Sequence, residues 1–248
     1  MSAEVETTYL GELQAKWERF ALLDPLWAVW TDPRFKGRRW KPEAFYRIGE
    51  RELAWLMKRL EHGGHQFPRG AALDFGCGVG RLTRPLARRF ERVVGLDISA
   101  TMLAFAKIYT TETNVEYVLS LSSRLAACKT RSFDFVLSRN TLQHMAPGII
   151  AGYLSELVRV VSDSGLLVFQ LPSTRKSDGT DSAEWAPLGT GEDAEGYPRM
   201  DMYGMERVKV TQILERAGGR LVEAWPDATA VGWTGFTYLV RRGAAGDG

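Results

Sequence analysis

Leu73-Asp74-Phe75-Gly76-Cys77-Gly78-Val79-Gly80 is the stretch on which the fold of this chain turns. A short apolar run, Ala71–Phe75, carries a carboxylate near its end and breaks into glycines at 76, 78 and 80. An apolar run of that length bounded by glycine reads as a buried strand followed by a tight turn. Glycines let the backbone turn sharply and let a ligand approach with no Cβ in the way. The following residues, Val79–Phe90, predict a helix that starts at once. Its first N–H groups and dipole would face a polar or anionic ligand.

Outward from this stretch the chain alternates. Strands are expected at Val93–Leu96, Val115–Leu119, Phe133–Leu137 and Leu166–Leu171, with helices at Ala100–Tyr109 and Pro147–Val161. The strands are almost continuously apolar, as strands covered on both faces are. Strands alternating with helices predict a doubly wound, mostly parallel sheet. Before it, residues 9–23 read as an amphipathic helix through Leu10, Leu13, Trp17, Phe20 and Leu23, and a second helix runs from about Pro42 to Leu60. Residues 1–65 are expected to form a helical cap and 66–242 the main domain, with a lid-like insert over 172–204. The first ten residues and the tail 243–248 are expected to fray. A helix over Met205–Ala217 and two strands, about Arg220–Trp225 and Trp233–Arg241, close the chain as a terminal hairpin.

Composition excludes several classes. With 32 Lys and Arg against 30 Asp and Glu, the net charge is +2, too small to argue for nucleic acid or an anionic membrane. Two cysteines, Cys77 and Cys128, make no disulfide framework and fit a reducing compartment. No signal-like start and no long apolar run are present, so a cytoplasmic protein is expected. The oligomeric state is not legible.

The glycine spacing discriminates between ligands. Dinucleotide sites place the third glycine three residues after the second; here it follows after two, and Asp74 would repel a pyrophosphate. That carboxylate suits an ammonium instead, such as the methionine end of S-adenosylmethionine. Val93-Val94-Gly95-Leu96-Asp97 then sets a second carboxylate one strand–helix–strand step on. Asp97 is placed to accept ribose hydroxyls, with Ile98 flanking an adenine.

The run from Leu73 through Gly76, Cys77, Gly78 and Gly80 to Arg81 and Leu82, then Gly95–Ser99 and Met102, resembles the class I S-adenosylmethionine-dependent methyltransferases. Ser132–Ser138 and Gly165–Phe169 are similar to that family's fourth and fifth strands. The resemblance covers about residues 42–171 plus the terminal hairpin. It implies a seven-stranded sheet whose last strand is antiparallel, and S-adenosyl-L-methionine as cofactor, held by Asp74, Gly76, Cys77, Gly78, Gly80, Arg81, Asp97, Ile98 and Met102. The chain departs from the family after the third strand, where Leu119–Arg124 has no acidic residue; a serine, Ser122 first, or backbone groups are expected to take that place at the adenine edge. Arg139, after the fourth strand, is also assigned to the cofactor.

The methyl acceptor is less legible. His144, in Ser138-Arg139-Asn140-Thr141-Leu142-Gln143-His144-Met145, is the expected general base. Trp40 and Tyr46 in the aromatic N-terminal region, and Tyr203 in the insert, are the expected acceptor contacts. No Asn-Pro-Pro-Tyr motif and no acidic cluster for Mg²⁺ follow the fourth strand. A metal-independent transfer to a small molecule is therefore expected, oxygen first among the acceptor atoms. A non-catalytic cofactor-binding subunit is the alternative. A nicotinamide oxidoreductase and a nucleic-acid methyltransferase are disfavoured by the glycine spacing and the weak charge.

Overall fold

The computed structural model describes residues 3–175, 191–228, 230 and 232–243. They fall into two compact units, one of Thr8–Leu121 and one of Ser122–Gly248 with Met1–Thr7.

Helix α1 (Ala3–Leu23) has Glu4 and Glu6 in its first turn, where carboxylates complement the helix dipole. That charge placement corrects the expectation of a frayed start: the chain is helical from Ala3, and only Met1 and Ser2 lie outside the described residues. Leu10, Leu13 and Phe20 are its buried side chains. α2 (Pro25–Val29) is capped by the Asp24 carboxylate, which accepts from the Trp27 N–H at 3.3 Å. α3 (Pro42–His62) has proline in its first turn and Gly63 at its end, the punctuation the sequence predicts.

In the same unit β1 (Ala71–Phe75), β2 (Arg92–Asp97) and β3 (Val115–Leu119) pair in parallel, with Asp74 beside Gly95 and Asp97 beside Leu119. They are joined by α4 (Thr83–Ala87) and α5 (Ala100–Tyr109). α4 has only 5 residues, so the helix expected over Val79–Phe90 is corrected. Gly80 adopts φ +79°, which no right-handed helix contains, and the turn runs on to Leu82. The N–H groups at this turn therefore belong to the loop, not to a long helix.

The second unit holds β4 (Phe133–Ser138), α6 (Pro147–Val160), β5 (Val161–Arg175), α7 (Arg207–Arg216), β6 (Gly219–Asp227) and β7 (Trp233–Arg242). β4 and β5 are parallel, while β7 runs antiparallel to both β5 and β6. β5 is longer than Leu166–Leu171 because β7 supplies partners from Leu167 to Arg175. Pro172 is tolerated within it because the register shifts between Pro172 and Thr174. The first residues of the expected insert, 172–175, are therefore strand. Residues 176–190, with Trp185, lie outside the described residues, as do 244–248 of the tail. Residues 191–204 are ordered by a Glu192–Pro198 bridge and by burial of Tyr197 and Tyr203. Gly243 donates to the Gly218 carbonyl at 2.8 Å, so the tail is tied down at its first residue.

The strands form one seven-stranded sheet in the order β3-β2-β1-β4-β5-β7-β6, with the last strand antiparallel, as the terminal hairpin foretold. Among the described residues no helix is long and apolar enough to cross a membrane.

Candidate active site

At the carboxyl end of β1 the chain turns through three left-handed glycines, Gly76 at φ +73°, Gly78 at +52° and Gly80 at +79°. The Gly76 and Cys77 N–H groups both donate to the Leu96 carbonyl, at 2.8 and 3.0 Å, which ties the turn to β2. The Gly78 N–H donates to Asp97 Oδ2 at 2.7 Å, and Asp97 Oδ1 accepts from the Ser99 N–H at 2.9 Å. The sequence pairs of motif and second carboxylate thus meet directly. The space around the turn requires glycine: a Cβ on Gly78 would stand 2.7 Å from Val29 Cγ2, and one on Gly80 would overlap the Tyr117 hydroxyl.

Asp97 is buried, and burial pushes its pKa above the usual carboxylate range; the N–H groups of Ser99, Gly78 and Ile98 oppose that shift. Asp74 is buried too and is pushed up to about 6, chiefly by burial. Its Oδ2 accepts from the Thr83 hydroxyl at 2.6 Å, which with the Arg81 charge pulls the other way. Burial also raises the Cys77 thiol, whose Sγ lies 3.7 Å from the Gly78 carbonyl. Met102 is buried in the first turn of α5, its N–H donating to Ser99 Oγ at 3.1 Å.

Other expected contacts are engaged in holding the turn. Arg81 is buried, pairs with Glu52 at 2.5 Å and lies over the Trp30 ring at 4.8 Å. Tyr46 is buried and donates its hydroxyl to the Val79 carbonyl at 2.8 Å, with the Arg84 guanidinium over its ring at 4.1 Å. Trp40 is buried, stacks on Phe35 at 3.7 Å and donates Nε1–H to the Trp30 carbonyl at 3.3 Å. The aromatic residues of the cap thus brace the loop from behind.

In the other unit, Ser122 is exposed; its Oγ accepts from the Arg124 N–H at 3.2 Å and its carbonyl from the Tyr153 hydroxyl at 3.1 Å. Arg139 is committed to the terminal hairpin, donating to Asp227 Oδ2 and Thr237 Oγ1, both at 2.7 Å. His144 ends a short 3₁₀ turn, Leu142–His144, with Nδ1 2.8 Å from the Asp201 carbonyl and Nε2 3.2 Å from Gln143 Nε2. Tyr203 is buried, and its N–H donates to the Gln143 carbonyl at 2.7 Å.

Sequence reasoning missed several participants. Glu18 of α1 accepts from the Ala100 and Thr101 N–H groups at the start of α5, at 2.5 and 3.2 Å; a contact so remote in sequence leaves no local pattern. Thr83 was within reach, since a hydroxyl soon after a buried carboxylate is an obvious partner. Gln170 also carried a signal: it is the polar residue inside the apolar run Leu166–Leu171.

A glycine turn and a ribose-type carboxylate at the ends of successive parallel strands, in a seven-stranded sheet of this order, define a Rossmann-like cofactor-binding enzyme. The chain belongs to the class I S-adenosylmethionine-dependent methyltransferases. A methyltransferase domain matches residues 73–169. A ubiquinone biosynthesis O-methyltransferase of Bartonella quintana is 31% identical over 179 residues, spanning 66% of this chain and 69% of the relative. Two solved structures share the fold. Magnesium protoporphyrin IX methyltransferase from Synechocystis PCC 6803, with bound S-adenosylhomocysteine, superposes with a TM-score of 0.63 at 16% identity, covering 94% of this chain and 99% of that one. The 1,6-didemethyltoxoflavin-N1-methyltransferase of Burkholderia thailandensis does so at 0.59 and 19% identity, covering 98% and 92%.

S-adenosylmethionine is the cofactor, and the residues present fit it. A carboxylate offers about four acceptor positions, and the N–H groups of Gly78, Ser99 and Ile98 leave room on Asp97 for a ribose hydroxyl. The glycine turn keeps side chains away from the ends of β1 and β2, where such a ligand lies. The Thr83 hydroxyl takes Oδ2 of Asp74, and an ammonium would find an acceptor in Oδ1.

Proposed function

We propose that this methyltransferase acts on an oxygen atom of a small-molecule acceptor by in-line displacement and without a metal ion. The observation that carries the reading is the 31% identity to an enzyme named an O-methyltransferase of ubiquinone biosynthesis, spanning 66% of this chain and 69% of the relative. One further fact supports the small-molecule acceptor. The 32 basic residues are balanced by 30 acidic ones, which offers nucleic acid no electrostatic footprint.

Bound S-adenosylmethionine supplies a methyl group already activated on a sulfonium, so the protein's task is placement and exclusion of water. In this reading Asp97 fixes the ribose, Asp74 orients the amino-acid end, and the glycine turn lets the ligand seat against the backbone. Residues 1–65 cap a catalytic domain of 66–242, with the insert after β5 as its lid. Two buried free cysteines suit the cytoplasm.

Transfer of labelled methyl from S-adenosylmethionine into a metabolite extract, with and without EDTA, tests the proposal. We expect a labelled O-methyl product, identified by mass spectrometry and NMR, at an EDTA-insensitive rate. Label on nitrogen or carbon would overturn the oxygen assignment, and loss of transfer in EDTA the metal independence.

A further inference from the structure

Gln143 and Gln170 are buried, 7% and 1% exposed, and each keeps a buried amide atom with no hydrogen-bond partner among the described residues: Oε1 of Gln143 and Nε2 of Gln170. Gln143 sits in the 3₁₀ turn Leu142–His144 that follows β4, that turn packs on β5, and Gln170 lies within β5. Buried polar groups left unmade are costly, and native proteins rarely tolerate them without a ligand or function to answer for it.

The neighbours fix which amide atom of each glutamine is left without a partner. The Asp201 carbonyl can only accept, so His144 Nδ1 carries the proton. In the neutral ring Nε2 is then a lone pair, and it receives the Gln143 Nε2–H. Gln143 is left with its carbonyl oxygen open. Gln170 Oε1 accepts from the Asn140 N–H at 3.3 Å, which leaves Gln170 its amide hydrogens. Asn140 holds a left-handed backbone, φ +57°, and buries a third orphaned atom, Oδ1. Strain of that kind at a polar cluster accompanies functional sites. Ser138 Oγ and the Tyr238 hydroxyl are also orphaned, but both residues align with Phe169 in the sheet register and so share the face opposite Gln170.

We propose that Gln143 and Gln170, with Asn140, bind the methyl acceptor, and that the acceptor is a neutral molecule presenting a hydroxyl or N–H donor beside an oxygen acceptor. This rests on the small-molecule reading above and narrows its substrate class. Amides offer no charge to a carboxylate or phosphate. Arg139, next to Asn140, is neutralised by Asp227 at 2.7 Å, with Thr237, the cross-strand partner of Gln170, bridging them. His144 becomes a positioning residue: held by Asp201 and with its lone pair taken by Gln143, it aims the Gln143 carbonyl. The Tyr203 N–H on the Gln143 carbonyl fixes the same turn from the insert.

The test divides a metabolite extract on an anion and a cation exchanger in series at neutral pH and follows labelled methyl transfer into each fraction. We expect label mainly in the unretained, neutral fraction. Gln143→Leu and Gln170→Leu should each raise the KM for that fraction's acceptor ten-fold or more, with S-adenosylhomocysteine affinity within two-fold of wild type. Gln143→Asn and Gln170→Asn, which keep the amide and shorten its reach, should give the same split and stand in if a leucine variant fails to fold. His144→Ala should also raise acceptor KM, and the Gln143→Leu/His144→Ala double variant should be no worse than Gln143→Leu, because the two act as one unit. Label mainly in a retained fraction, an unchanged acceptor KM, or additive effects in the double variant would overturn this inference alone. Label in no fraction would overturn it together with the small-molecule reading beneath it.

Discussion

Asp74 is a carboxylate that the fold has made reluctant to ionise. Burial raises its pKa to about 6 against the opposing pull of Thr83 and Arg81. An unfolded aspartate releases its proton near 3.9. Between those values the folded state binds the extra proton, so the stability linked to Asp74 is fully present below about pH 4 and is lost as pH rises through 6. The loss is on the order of 2–3 kcal/mol for a shift of this size in a group fully removed from solvent. Asp74→Asn keeps an acceptor for the Thr83 hydroxyl and removes the charge. Its stability relative to wild type should therefore grow between pH 4 and 7, read from urea unfolding at each pH; a constant difference would mean Asp74 is ionised throughout. An ammonium of the ligand seated beside Asp74, as proposed, would favour the ionised form. S-adenosylhomocysteine should thus bind wild type more tightly at pH 7 than at pH 5, with proton release on binding at pH 5, and calorimetry should find neither trend in Asp74→Asn.

At the scale of elements, the loop after β1 was legible in kind and not in extent. Gly76, Gly78 and Gly80 announced a turn, and the φ values of all three confirm why no other residue stands there. The helix behind it was overread, because Arg81 and Leu82 fit a helical pattern while the backbone at Gly80 does not. The contact that fixes Gly80 comes from β3, where the Tyr117 hydroxyl sits against it and bonds to Thr110 Oγ1 at 2.7 Å. Gly80→Ala brings both a left-handed alanine, costing about 1 kcal/mol, and overlap with that hydroxyl. Tyr117→Phe removes the overlapping oxygen, and its ring carbon would then stand at 3.4 Å from the new Cβ. We expect Gly80→Ala to destabilise the protein by about 2–3 kcal/mol and Gly80→Ala/Tyr117→Phe to recover the steric part, leaving the backbone cost. A double-variant cycle in urea that shows simple additivity would remove Tyr117 from the account. The polar cluster around Gln143 and Gln170 was hidden for a related reason: Asn140 bonds to Gln170, His144 to Asp201 and Gln143 to Tyr203, contacts between distant segments that no local period links.

Across the whole chain, β1, β2, β4, β5 and β7 were readable because they are apolar enough to be buried, and the terminal hairpin because two strands follow with no helix between them. The N-terminal helices were legible as an aromatic cap but not in their service to the loop, since Val29 against Gly78, Trp30 over Arg81 and Glu18 on α5 are contacts between distant segments. The residues assigned to the cofactor from β1 to α5 all belong to the unit Thr8–Leu121, and two of its buried carboxylates are held against their own desolvation. A ligand that binds the folded state alone stabilises it by about 2.7 kcal/mol at one hundred times its Kd. For a chain of 248 residues that corresponds to a rise in Tm of roughly 5–10 °C. We expect S-adenosylhomocysteine to produce that rise in wild type and NADH to produce none, because the third glycine and Asp74 leave no seat for a pyrophosphate. Asp97→Ala removes the acceptor of the Gly78 and Ser99 N–H groups together with the proposed ribose contact. Its Tm should fall without ligand and should no longer respond to S-adenosylhomocysteine at the same concentration. A full response in Asp97→Ala would take the ribose role away from that residue, and a response to NADH would contradict the reading of the glycine spacing itself.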